Sequence, residues 1–102
     1  MLFRKKDIAI LGTGRFSLAI IHIISRNVGH VTVYGRDEKQ LKELYKHRTN
    51  SKYSPKKLNI KITARNLKNY DSRNHDITFY CLPVKCLESR YLKNNMILTY
   101  MN

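Results

Sequence analysis

Gly12, Gly14 and Ser17 are spaced as Gly-x-Gly-x-x-Ser, directly after the apolar run Ile8-Ala9-Ile10-Leu11. Glycines at that spacing bring backbone N–H groups against a phosphate. Gly12 permits a tight turn out of a strand, and Gly14, lacking a Cβ, lets a pyrophosphate approach the main chain. The full fingerprint has a third glycine for close helix–strand packing; Ser17, the next smallest polar option, stands there instead. A helix beginning past Gly14 presents unpaired N–H groups and the positive end of its dipole. Arg15 adds a cation at the same place. The alternative is a tight strand-to-helix turn that binds nothing, and only the surrounding elements separate the two.

A second chemically informative position is the end of the run Val31-Thr32-Val33-Tyr34. In dinucleotide-binding units an acid here accepts from the ribose hydroxyls of NAD, and an arginine accommodates the 2′-phosphate of NADP. Gly35 follows the run and Arg36 comes next. That favours tolerance of NADP, with a plain surface arginine as the alternative. Asp37 either serves the ribose or caps the next helix.

These residues need a scaffold of alternating strands and helices. Asp7 to Leu11 is a short apolar run, as a buried parallel strand should be. Phe16 to Arg26 is apolar nearly all round, which predicts a helix covered on more than one side and ended by Gly29. Val31 to Tyr34 is β-branched and aromatic, hence a second strand. Leu41, Leu44 and Tyr45 predict one apolar face of a second helix. Residues 49–58 read as a loop, Ile60 to Ala64 as a short strand, and 66–75 as too polar for a helix. Asp76 to Leu82 predicts a fourth strand stopped by Pro83, Val84 to Leu92 a helix, and Met96 to Met101 a further strand. The alternation implies a Rossmann-like α/β fold: a parallel sheet of about four to five strands, flanking helices and right-handed crossovers.

At 102 residues the chain makes one domain at most. Hydrophobic residues at 42% and charged residues at 26% exclude wholesale disorder. The net charge of +13, from 20 Lys and Arg against 7 acids, fits an anionic partner or a solvated basic surface. Scattering of the charges without long runs favours the solvated surface. Cys81 and Cys86 have neither redox, zinc nor disulfide-framework spacing, so no metal is expected; Cys81 reads as a small core residue. Met1 to Lys6 has the charge of an export signal, but Asp7, Arg15 and two glycines break the apolar segment after it. No run approaches the roughly 20 apolar residues of a membrane span. The expectation is a cytoplasmic protein with reduced cysteines.

In order along the chain, these segments resemble the N-terminal part of bacterial NAD(P)-dependent glycerol-3-phosphate dehydrogenase. Residues 10–19, Ile-Leu-Gly-Thr-Gly-Arg-Phe-Ser-Leu-Ala, are similar to that family's Gly-Ala-Gly-Ser-Trp-Gly-Thr-Ala-Leu-Ala. Ser25-Arg26-Asn27 is close to its Ala-Arg-Asn-Gly-His, and residues 33–38 to its Leu-Trp-Gly-Arg-Asp-Pro-Glu. Asn50 to Pro55 resembles its Asn-x-x-Tyr-Leu-Pro loop, and Asp76 to Val84 its Asp-apolar-x-Val-Pro strand. The likeness covers nearly the whole chain.

The resemblance implies NAD or NADP as cofactor and places Gly12, Gly14, Arg15 and Phe16 at the pyrophosphate turn. It puts Arg36 at the adenosine ribose or its phosphate, Tyr53 in a loop near the cofactor, and Pro83 on the nicotinamide side. Each has a structural alternative: Phe16 as core, Tyr53 as loop anchor, Pro83 as a strand stop. The chain departs from the family at Ser17, at Val28-Gly29-His30, and by containing no Lys-Gly. Lys85 and Lys93 match no family motif. The family's catalytic lysine lies in a helical C-terminal domain without counterpart in these residues. The expectation is therefore an incomplete, C-terminally truncated cofactor domain over 1–102, inactive alone, with glycerol 3-phosphate and dihydroxyacetone phosphate as substrates only if such a domain is supplied. Two other readings stand beside it: a small nucleotide-binding regulatory module, and a basic nucleic-acid binder, with nucleic acid the less favoured partner and no membrane involved.

Overall fold

The structure, a computed structural model, describes residues 6–82 in full and the backbone of 96–98. Its strands are β1 (Ile8–Leu11), β2 (His30–Gly35), β3 (Lys61–Asn66), β4 (Ile77–Tyr80) and β5 (Met96–Leu98). Helix α1 (Arg15–Ile24) follows β1, and α2 (Glu38–His47) follows β2. The five strands form one sheet in the order β3-β2-β1-β4-β5, and every pairing is parallel. This is the Rossmann-like arrangement that the sequence predicts.

The order carries the functional consequence. From β1 the chain moves outward to β2 and β3, then crosses back to lay β4 on the other side of β1. Connections leaving β1 and β4 therefore diverge, and a crevice opens at the carboxyl ends between them. Register keeps those ends level: Leu11 pairs with Tyr34 on one side and Tyr80 on the other.

Both faces of the central strand are buried, which is why it reads as continuous apolar sequence. Ile8 and Ile10 pack with Val31, Val33, Phe79, and Ile21, Ile24 and Leu44 of the two helices. Ala9 and Leu11 point the other way, onto Tyr34, Leu67 and Tyr80. On that second face the β3–β4 crossover is two single 3-10 turns, Leu67–Asn69 and Ser72–Asn74, rather than a helix. Side chains pin it instead. Tyr34 Oη lies 2.7 Å from His75 Nε2, and His75 Nδ1 lies 2.8 Å from Asp7 Oδ1. Tyr70 stacks on His75, meets Tyr34 edge-on, and shares a hydrogen bond with Thr78.

Several expectations shift. Helix α1 ends at Ile24, well short of Gly29, because Ser25 Oγ donates to the His22 carbonyl and Asn27 N–H to that of Ile24, closing a tighter turn. Its outer side carries Ile23, 64% exposed, so the predicted cover on several sides is missing among the described residues. Only Leu41 and Leu44 bury on α2; Tyr45, at the stripe's margin, is 64% exposed beside Lys46, Arg48 and Lys61. Strand β3 runs to Asn66 because it pairs with β2 along its whole length. The predicted helix Val84 to Leu92, and the end of the strand predicted to Met101, lie outside the described residues.

Candidate functional site

The site begins where β1 stops. Gly12 has φ +121°, a conformation L side chains rarely adopt. A Cβ there would also lie 2.9 Å from the Cys81 carbonyl oxygen and 3.0 Å from Ser17 Oγ. Two strands hold the turn: Gly12 N–H donates to the Tyr34 carbonyl (2.7 Å), and Cys81 N–H to that of Leu11 (2.9 Å). Gly35 is the last residue of β2 rather than the first after it. A Cβ at Gly35 would stand 2.6 Å from Thr13 Cγ2, so any side chain there would have to push the Thr13 side chain aside. That explains why no acid occupies the strand end. Arg36, exposed, is the first side chain past it.

Gly14 is the N-cap of α1, and no side chain caps the helix. No acid occupies its first turn. The contrast with α2 is direct: Asp37 there accepts from Lys39 N–H and Gln40 N–H, the cap that its position predicts. Helix α1 thus keeps its first N–H groups and dipole turned to the crevice without a side chain to satisfy them. Arg15 and Phe16 are exposed in that first turn, and Phe16 is not core. Ser17 is fully buried against Gly12, and its Oγ has no hydrogen-bond partner. It fills the third-glycine position at a cost, because a buried unpaired hydroxyl is unfavourable.

Tyr53, half-buried, sits in a turn made by its own loop: Tyr53 N–H and Ser54 N–H both donate to the Asn50 carbonyl at 3.0 Å. Helix α2 grips this loop through Glu43, which accepts from Thr49 Oγ1 (2.5 Å), Ser51 N–H (2.8 Å) and Ser51 Oγ (3.0 Å). These bonds, the Thr49 hydroxyl foremost, hold the Glu43 carboxyl below its ordinary pKa of 4.5. Asn50 is 1% exposed and donates through Nδ2 to the Thr13 carbonyl and to Gln40 Oε1. Gly12, Gly14, Arg15, Phe16 and Arg36 thus gather at the carboxyl edge of the sheet, and Asn50 ties the Tyr53 loop to the same edge. Pro83 lies outside the described residues. Thr13, Gln40 and Glu43 carry no prediction from sequence; the usable signal is the polar pair Gln40 and Glu43, three apart on one face of α2. Cys81 is buried core, while Cys86, Lys85 and Lys93 lie outside the described residues. Among the described residues no group of His, Cys, Asp and Glu could hold a metal, and no helix is long and apolar enough to cross a membrane.

Two outcomes follow from this geometry. Ser17→Ala removes a buried hydroxyl without a partner and is expected to raise stability by about 1 kcal/mol in urea unfolding; a loss would show that the hydroxyl is satisfied. Glu43 has a depressed folded-state pKa, so its hold on the loop is complete above pH 4.5 and is lost as pH falls through the lower folded value. The Ser51 amide resonance is expected to titrate in that acid range and to stop doing so in Glu43→Gln. Equal titration in both proteins would contradict the contact.

Comparison with known proteins identifies the family. Residues 7–99 match the family model described as NAD-dependent glycerol-3-phosphate dehydrogenase N-terminus. A glycerol-3-phosphate dehydrogenase [NAD(P)+] of Mesoplasma florum is 30% identical over 94 residues, 91% of this chain and 28% of that protein. The enzyme of the same name from Rickettsia prowazekii is 40% identical over 48 residues, 47% of this chain and 15% of that protein. That of Geobacillus kaustophilus is 36% identical over 50 residues, 49% of this chain and 14% of that protein. The chain spans less than a third of the length of these relatives. With the family model covering nearly all of it, the chain belongs to the NAD-dependent glycerol-3-phosphate dehydrogenase N-terminus family.

Proposed function

We propose that these residues hold NAD or NADP for the interconversion of glycerol 3-phosphate and dihydroxyacetone phosphate, the reaction the relatives' names point to. One observation carries the reading: an uncapped helix N-terminus, entered through a turn where only glycine fits at position 12, stands at the switch point of a parallel sheet. The residues present fit a dinucleotide. The missing cap leaves N–H donors for phosphate oxygens, and the Gly35 contact leaves no side chain to block the strand end.

The roles follow from position. Gly12 fixes the turn, and Gly14 lets the pyrophosphate meet the N–H groups of Arg15 and Phe16. The Arg15 guanidinium adds positive charge to the phosphates. Arg36 meets the adenosine ribose or its 2′-phosphate. Tyr53 supplies an aromatic wall. A dinucleotide held here would supply the hydride donor or acceptor for the substrate carbon. Moving the hydroxyl proton and fixing that carbon require further groups, which this reading assigns to the portion of the enzyme these residues do not match. Cofactor holding is the role of this chain.

Calorimetry with NAD and NADP tests the proposal. Gly14→Val is expected to reduce affinity for both at least tenfold while leaving the thermal transition in place; intact affinity would show that the turn does not hold the pyrophosphate. Arg36→Ala should cost NADP about tenfold, in keeping with the loss of a hydrogen bond to a charged group, and leave NAD nearly unchanged. Equal losses would remove Arg36 from the 2′-phosphate. These 102 residues alone should bind without turning over glycerol 3-phosphate, and measurable turnover would overturn the division of labour.

A further inference from the structure

We infer that Asn50 is a positioning residue that locks the Tyr53 loop in register with the pyrophosphate turn, so that a dinucleotide meets both as one preformed surface. The inference rests on the dinucleotide reading of the turn. Asn50 acts in two directions. Its side chain donates to the Thr13 carbonyl at 2.7 Å, inside the Gly12–Gly14 turn. Its own carbonyl accepts from Tyr53 and Ser54, which shapes the loop tip. One residue therefore holds two segments that lie 37 positions apart at its contact with Thr13.

Gln40 brings in a third segment. Its Oε1 accepts from Asn50 Nδ2 at 3.1 Å and from Thr13 Oγ1 at 2.6 Å. Its Nε2 donates to Asp37 Oδ2 at 3.4 Å, immediately after Arg36. The amide orientations are fixed chemically at both ends. A backbone carbonyl only accepts, so the Asn50 atom facing Thr13 is the NH₂; a carboxylate only accepts, so the Gln40 atom facing Asp37 is its NH₂. The chain Asp37–Gln40–Thr13–Asn50 thus joins the ribose-reading strand end, the pyrophosphate turn and the Tyr53 loop.

Stability alone is an incomplete reason for Asn50 to be there. Its Oδ1 is buried without a hydrogen-bond partner, a cost that offsets part of what its two donated bonds contribute. Orientation is the better reason, since ordering two segments before a ligand arrives removes that cost from binding.

The test compares two ligands on the chain by NMR titration: NADP, which spans strand end and turn, and 2′-AMP, which reaches only the strand end. Asn50→Asp keeps the size and loses the donors. It is expected to weaken NADP about tenfold and 2′-AMP less than twofold. Gln40→Ala, at a half-buried site on a helix already capped by Asp37, should act in the same direction with the fold intact. The double variant should be no worse than either single one, the signature of one shared network. Unchanged NADP affinity in both single variants, or equal weakening of the two ligands, would overturn the coupling alone. A wild-type chain that takes neither ligand would overturn the dinucleotide reading, and the coupling with it.

Discussion

Position 12 has room for a hydrogen and no more. Its backbone is left-handed at φ +121°, and the carbonyl of Cys81 closes the space where a Cβ would sit. The hydrogen bond from the Cys81 N–H to the Leu11 carbonyl holds Cys81, the residue after β4, beside the turn. The turn between β1 and α1 therefore packs directly against Cys81. Moving it would aim the N–H groups of α1 elsewhere, and an anion site depends on their direction.

The opposite side of the turn obeys the same logic. Gly35 lets Thr13 lie directly on the end of β2, and Leu41 of α2 stands close behind. The turn is therefore pressed between two strands, each of which offers backbone rather than side chain at the contact. Helix α2 then works as a bracket. Its cap Asp37, with Gln40 and Glu43 on one face, reaches both the turn and the 49–54 loop. Hydrophobic packing builds the sheet, but polar side chains of α2 decide where the loops over its edge lie.

Much of this was legible in the sequence where conformation depends on residue type alone. Gly12 and Gly14 mark the turn because few residues tolerate what the backbone does there, and Asp37 reads as a cap because its neighbours suit a helix start. The buried strands are legible from apolar runs, and the family from the order of its motifs. Asn50 and Gln40 were not, since a buried amide is defined by partners distant in sequence. The end of α1 was misjudged because Ser25 closes a local hydrogen bond that periodicity does not show. Tyr45 was misplaced because a helical stripe has a margin, and only packing against β3 decides which side of it is wet. The crossover between β3 and β4 reads as polar and irregular, yet an Asp–His–Tyr chain and stacked rings hold it.

The central claim is that the Gly12 turn and the start of α1 receive the pyrophosphate. Amide chemical shifts recorded during titration with NADP test it most directly. The account predicts that the largest changes fall on Gly12 to Ser17, with smaller ones at Arg36 and Tyr53, and that they saturate at one dinucleotide per chain. Changes spread over Lys56, Lys57, Lys61 and the other surface cations, with Gly12 to Ser17 unmoved, would contradict it.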